Sequence, residues 1–198
     1  YWFFCALGDS GIKTPNDVKP GMKLLIVTIA EEPQYSMLAL LGWAQVDPED
    51  VTWIPTASTN DAGRRLMDGK CDAALGYNTS SFWFEVEASP HGLTWIELDY
   101  ENDPEGAERF LRWFPYTGFG VAPTGCPTSI GVPMGKSPCG WITRVETDPE
   151  LIYRLVKWSN ENYDRFKDGH PWAADMTIDN LVELAQIHYE PIHDGSVR

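Results

Sequence analysis

The sequence is short of positive charge. Its 198 residues carry 15 Lys and Arg against 29 Asp and Glu, a formal net charge of −14. At a pI near 4.5 such a surface repels phosphate backbones and anionic lipid, whose binding depends on clustered basic side chains. Nucleic-acid binding is excluded. Long apolar runs are missing too: the longest, around Leu24–Val27 and Met37–Leu41, fall far below the ~20 residues of a spanning helix. The opening Tyr1-Trp-Phe-Phe-Cys-Ala-Leu7 has no basic region and soon meets Gly8-Asp9, so it reads as a buried strand rather than a signal peptide. A chain that starts inside a strand, without Met, looks like a processed or truncated piece of something longer.

Cysteine is scarce and unpatterned. Cys5, Cys71, Cys126 and Cys139 form no CxxC or Cys/His cluster, so no zinc site is expected. Four cysteines allow three pairings when all are oxidised. Cys126 and Cys139 flank an irregular Pro/Gly stretch and are expected to bridge it, a closure of about a dozen residues worth ~3 kcal/mol. Cys5 with Cys139 is the competing pairing. Cys71 reads as a plain buried thiol. No Gly-rich phosphate loop is present, and no cofactor is implied.

What the chain does have is aromatic bulk: 9 Trp, 8 Tyr and 8 Phe, which a disordered acidic tail lacks. Strand and helix signals alternate. Tyr1–Ala6 and Met22–Val27 are continuous apolar runs, the pattern of strands covered on both faces; Val51–Ile54, Cys71–Leu75, Leu93–Leu98 and Trp141–Val145 are further strands. Pro33–Val46 has apolar residues at helical spacing. Thr14-Pro15, Asp103-Pro104 and Asp148-Pro149 place a polar cap before a proline, a helix-start signal. The last of these starts the longest expected helix, with Leu151, Ile152, Leu155, Val156, Trp158 and Tyr163 on a broad apolar face. Asp61–Met67 ends at Asp68-Gly69, Thr79–Ala88 is an aromatic-rich helix, and Thr177–Gln186 is the last. Pro115 to Pro138 reads as extended segments and turns. The alternation predicts an α/β sandwich around a largely parallel sheet.

Several motifs imitate catalytic ones. Gly8-Asp9-Ser10-Gly11 copies part of a serine-protease signature, but that chemistry also needs a matched His base and orienting acid, and these residues are ordinary for a turn. Glu31-Glu32 are neighbours that diverge by about 100° on a helix, whereas paired-carboxylate hydrolysis needs carboxyls ~5–9.5 Å apart across one bond. His188 and His193 are separated by Pro191 and share no helix face. Asn78-Thr79-Ser80 matches a glycosylation sequon, and a polar loop explains it equally.

Ligands of open α/β sheets sit outside the carboxyl ends of strands. Two strand exits are polar: Thr28–Glu32 and Gly76–Ser81. Candidate ligand-binding residues are therefore Tyr77, Asn78, Thr79 and Ser80, which combine an aromatic face with donors and acceptors, together with Thr28 and Glu31. No catalytic or metal-ligating set emerges.

Five stretches, in order along the chain, resemble the TAXI family of solute-binding proteins, the extracytoplasmic receptors of TRAP transporters. Asp9-Ser-Gly-Ile-Lys-Thr-Pro-Asn-Asp-Val-Lys-Pro-Gly21 is similar to "DSGIKSxxDLKGK". Leu66-Met-Asp-Gly-Lys-Cys-Asp-Ala-Ala-Leu75 is similar to "LKDGxIDAAF". Phe114-Pro-Tyr116 with Ala122-Pro-Thr-Gly125 is similar to "YPxY…IPAGTY". Gly131-Val-Pro-Met134, Trp141-Ile-Thr-Arg144 and Asp148-Pro-Glu-Leu-Ile-Tyr153 resemble "DVPTVxVPxLLVTRxDxPEDLVY", and Glu190-Pro-Ile-His-Asp-Gly-Ser196 resembles "IPLHPGA".

The resemblance implies a type II periplasmic-binding-protein-like α/β fold, mainly the second lobe plus the return into the first. Residues 1–12 would be the crossover strand, 13–120 the α/β lobe, and 121–198 the hinge return with C-terminal helices. It implies a non-catalytic, periplasmic or otherwise extracytoplasmic receptor for a small organic solute, serving the membrane subunits of a TRAP transporter. Thr124 and Gly125, in the hinge-like segment, join the candidate site. Family members carry a further N-terminal segment, so a homodimer or a missing N-terminal partner segment is expected. Where the family has a Gly-rich loop, this chain has Thr28–Pro33 with Glu31 and Glu32; a cationic, neutral or aromatic solute is expected over an acidic one. The alternative is an aromatic-rich carbohydrate-binding or hydrolytic domain, which would need aromatics along an open groove or a matched catalytic set.

Overall fold

Apolar runs become stable strands only when both faces of their sheet are covered, and the arrangement of this chain does that. The computed structural model describes residues 3–27, 31–137, 143–174, 176–180, 182 and 192–197; for 3, 27, 31–34, 171 and 172 it describes the backbone alone. The chain divides into two compact units, Tyr1–Lys136 and Ser137–Arg198.

In the first unit, β1 (Phe3–Leu7) lies between β4 (Ala74–Gly76) and β5 (Leu93–Trp95), antiparallel to both. β2 (Lys23–Val27) runs parallel to β3 (Thr52–Thr56), from Lys23 opposite Thr52 to Val27 opposite Thr56. A parallel bridge from Leu24 to Ala73, with Leu25 N–H donating to the Ala73 carbonyl (3.1 Å), joins β2 to the chain entering β4. The strands thus follow the order β3-β2-β4-β1-β5, with β1 alone running against the rest. β6 (Gly118–Val121) and β7 (Pro133–Lys136) form an antiparallel hairpin.

Side chains alternate between two cores, as the pleat requires. Phe4, Ala6, Leu24, Ala73 and Leu75 face α1 (Glu31–Ala44) and α4 (Pro104–Trp113), where Met37, Leu40, Leu41, Trp43 and Phe110 are buried. Cys5, Leu25 and Ala74 face α2 (Thr59–Met67) and α3 (Ser81–Glu87), where Leu66, Phe82, Trp83 and Val86 are buried. Full burial of one Leu or Phe is worth about 1.5–3 kcal/mol, so these two layers carry much of the stability. The cap expected at Asp103 forms, its Oδ1 accepting from Gly106 N–H (2.8 Å) at α4, and Ser58, which the sequence reading did not single out, caps α2 by accepting from Asp61 N–H at its Oγ (3.1 Å). Asp103 Oδ2 also accepts from the Trp43 indole N–H (2.8 Å), tying α4 to α1.

In the second unit, α5 (Pro149–Glu161) starts at Asp148, whose Oδ1 accepts from Glu150 N–H (2.9 Å), and is followed by α6 (Tyr163–Phe166) and α7 (Pro171–Ala174). The turn Asp194–Ser196 packs on α5 over Ile152. Leu151, Leu155 and Trp158 are exposed.

Several expectations are corrected. The sheets are mixed rather than largely parallel: β1 and the β6–β7 hairpin pair antiparallel. An apolar run reports burial on two faces and nothing about strand direction. The strand expected at Trp141–Val145 is not formed over Thr143–Val145, where Thr147 N–H instead donates to the Arg144 carbonyl in a turn; residues 141 and 142 lie outside the described residues. At 14 residues α1 is longer than α5, at 13, because a new turn at Asn162 separates α5 from α6. The expected Cys126–Cys139 bridge is not supported, nor is Cys5–Cys139. Cys5, Cys71 and Cys126 are free and buried, since packing against α2 and α3 already orders the segment a bridge was expected to order; Cys139 itself lies outside the described residues. Of the helix expected over Thr177–Gln186, residues 178–180 and 182 are helical, with Thr177 Oγ1 accepting from Asn180 N–H (3.2 Å); residues 181 and 183–186 lie outside the described residues.

Candidate functional site

Because β2, β3 and β4 run the same way, their carboxyl ends open on one side of the sheet. Thr28, at the exit of β2, lies outside the described residues, and Glu31 is described only as the first residue of α1. The exit of β4 is fully described. Gly76 ends the strand directly against the Trp83 indole: a Cβ there would sit 2.7 Å from Trp83 Cε2, so only glycine lets the chain turn over the ring. Ser80 N–H donates to the Tyr77 carbonyl (3.0 Å), and Ser80 caps α3 without using its hydroxyl. Tyr77 is half-buried against the α1-side core.

Asn78 is the centre of this loop, 1% exposed. Its Nδ2 donates to the Thr124 carbonyl (2.6 Å) and to Ser129 Oγ (2.9 Å), while Ser129 Oγ donates to the Cys126 carbonyl (2.7 Å). In return, Cys126 N–H donates to the Asn78 carbonyl (2.8 Å). Gly125 adopts φ +123°, and a Cβ there would lie 2.1 Å from Asn78 Nδ2. Asn78, Thr124 and Gly125, read from the sequence in two separate segments, therefore form one locked unit. Ser129, fully buried, was missed: a serine in a Pro/Gly/Thr stretch has no pattern to mark it. A second tie lies outside the lock, where Glu87 Oε1 accepts from both N–H (2.7 Å) and Oγ1 of Thr128.

Two polar atoms remain. Asn78 Oδ1 and Thr79 Oγ1 are both shielded from solvent and have no hydrogen-bond partner. A buried polar atom left unsatisfied costs about 1–3 kcal/mol; the Trp83 indole N–H, Ser89 Oγ and Arg109 Nε are also buried without a partner.

Other reactive groups among the described residues are engaged or buried. Ser10 Oγ donates to its own turn at the Leu7 carbonyl (2.7 Å), away from the Asp9–His91 pair (2.7 Å). That hydrogen bond holds the Asp9 carboxyl below its ordinary range. Burial pushes the Cys71 and Cys126 thiols up to about 12, and complete burial raises the Cys5 thiol well above its ordinary value, so none is a thiolate nucleophile near neutral pH. His193 Nδ1 accepts from Gly195 N–H (3.1 Å) and its Nε2 donates to the Thr147 carbonyl (3.1 Å). Among the described residues no His/Cys/Asp/Glu group is arranged to hold a metal. The sequon at Asn78 is sealed in the folded state, with both Nδ2 hydrogens committed.

A sheet with one strand reversed against four co-directional ones, helices on both faces and polar loops at the shared carboxyl ends makes the first unit an α/β sandwich. The chain belongs to the NMT1-like family, whose model matches residues 1–198. No curated protein matches it. Among solved structures it is similar to the periplasmic aliphatic sulphonate binding protein SsuA of Escherichia coli, at 11% identity and TM-score 0.39, over 97% of this chain and 66% of that one. It is also similar to the substrate binding protein of an amino acid ABC transporter (12%, TM-score 0.37, 57% of this chain and 58% of that one). An ancestral arginine-binding protein bound to arginine is a third (15%, TM-score 0.35, 57% and 59%). The chain therefore spans about three-fifths of the length of the amino-acid receptors it matches.

Proposed function

We propose that this chain is part of an extracytoplasmic receptor that binds a small organic solute at the exit of β4 and delivers it to the membrane subunits of a transporter, without catalysis. The observation that supports the reading is the polar loop at the carboxyl end of β4, where Asn78 is tied to the segment of Thr124, Gly125 and Ser129. Tyr77 and Ser80 line the same turn. On the motif resemblance the transporter is of the TRAP type and the receptor a TAXI protein. A periplasmic or other extracytoplasmic location agrees with the absence, among the described residues, of a helix long and apolar enough to cross a membrane.

The carbohydrate-binding or hydrolytic alternative is not favoured, because Trp43 and Trp83 are in the cores and the Ser, Cys and His groups described above are engaged or buried. A thermal-shift screen of small solutes tests the proposal. A receptor gains RT ln(1 + [L]/Kd), about 2.7 kcal/mol at a hundredfold excess over Kd, and leaves its ligand unchanged. A solute that stabilises the protein and is then converted to product contradicts it.

A further inference from the structure

We infer that Pro55 closes the outer edge of the sheet, and that without it β3 would pair with β3 of a second copy of this chain. The strand order β3-β2-β4-β1-β5 leaves β3 outermost, and among the described residues it pairs only with β2. An outermost strand turns a row of N–H and C=O groups away from the sheet, a template for another chain. At the opposite edge the chain leaving β5 is already engaged: Glu97 N–H donates to the Lys13 carbonyl (2.8 Å) and Leu98 N–H to the Pro133 carbonyl (2.9 Å).

The register decides which groups of β3 face outwards. Thr52 N–H donates to the Met22 carbonyl (2.8 Å), on the chain entering β2. Along a strand the backbone groups alternate in direction residue by residue, so Thr52, Ile54 and Thr56 address β2 while Trp53 and Pro55 turn away. β2 obeys the same alternation. On its other side Leu25 N–H donates to the Ala73 carbonyl (3.1 Å) and the Lys23 carbonyl accepts from Asp72 N–H (2.8 Å). Pro55 therefore sits where its missing N–H costs the sheet nothing and denies an incoming strand its donor. The next N–H along, that of Ala57, is taken by Asp61 Oδ2 (3.4 Å). Trp53 is left as the outward donor, too little for a ladder. Its side chain is held at the sheet, the indole N–H donating to the Pro48 carbonyl (3.1 Å) and the ring packing on the α1-side core. Thr52 and Pro55 are exposed.

Restoring the N–H in the full chain tests this. Pro55→Ala adds the donor and little else, and Pro55→Val adds it on a side chain that favours strands. Both should keep the wild-type circular dichroism, because no bond to β2 passes through residue 55. Sedimentation equilibrium over a concentration series should show the average mass of both variants rising towards twice the wild-type value, Pro55→Val at the lower concentration. Adding Thr52→Lys to either should return the mass to that of the wild type, since pairing would bring like charges together along the edge. Masses equal to the wild type in both single variants overturn the inference. So does association of Pro55→Val alone, which would report added apolar surface, and so does association that survives Thr52→Lys, which would place the contact elsewhere. Loss of the fold in both single variants contradicts the outward placement of Pro55.

Discussion

The side-chain amide of Asn78 occupies the space that a Cβ on Gly125 would need: that position lies 2.1 Å from Asn78 Nδ2. The loop after β4 and the turn of 124–129 are thus one rigid unit whose assembly requires glycine at one position and asparagine at the other.

Gly125→Ala should destabilise the protein by about 3–4 kcal/mol, from backbone strain at positive φ and the buried hydrogen bonds lost when the amide is displaced. Asn78→Ala should cost about 2–4 kcal/mol through loss of the same bonds. Denaturant unfolding of both variants and the double variant should show the effects falling short of additivity by about 1–2 kcal/mol, since the steric conflict exists only when Asn78 is present. Simple additivity would show that the two residues act separately.

Asp103 serves α4 and α1 at once, capping Gly106 N–H and accepting from Trp43. Asp103→Ala should cost about 1–2 kcal/mol, the range of a lost cap. The Gly106 N–H, joined by the Trp43 indole, lowers the Asp103 carboxyl below its ordinary range. Its stabilising contribution is therefore present above the unfolded carboxylate pKa and lost as pH falls through the lower folded value. Acid unfolding curves should show the wild-type advantage over Asp103→Ala shrinking below about pH 4; an advantage that grows in acid contradicts the assignment.

The thiols should behave as core residues. Cys71 and Cys126 stay protonated in the folded protein until about pH 12, whereas an unfolded thiol ionises near 8.5. Below the unfolded value their contribution is complete; it declines as pH rises from there towards the folded value. Stability should fall on the alkaline side, and less so in Cys126→Ala once the cavity cost is subtracted. A thiol-specific reagent at pH 8 should label Cys5, Cys71 and Cys126 only after denaturation. Rapid labelling of the native protein would contradict their burial.

Much of the fold was legible because the signals were local. Pro after a capping Asp or Thr before a helix, and apolar runs at Tyr1–Ala6 and Met22–Val27, report burial and chain punctuation residue by residue. Strand direction was not legible, since the same run serves a parallel or an antiparallel strand, and β1 is the one that reverses. The candidate site's arrangement was legible in half. Tyr77 to Ser80 stood out as a polar strand exit, but its lock depends on Thr124 and Ser129, 46 and 51 residues from Asn78. Neither has a spacing that marks it. The disulfide expectation failed for a similar reason: a Pro/Gly segment looks unanchored until Asn78 and Glu87 are seen to hold it from other parts of the chain.

The most direct test of the receptor account is a backbone amide NMR titration of the full chain with the solute that most raises its melting temperature. The account predicts that the amides of 77–80 shift together with those of 124–129, in saturable fashion, while the solute's own signals show no product. Shifts confined to other parts of the chain, or the appearance of a converted solute, would contradict it.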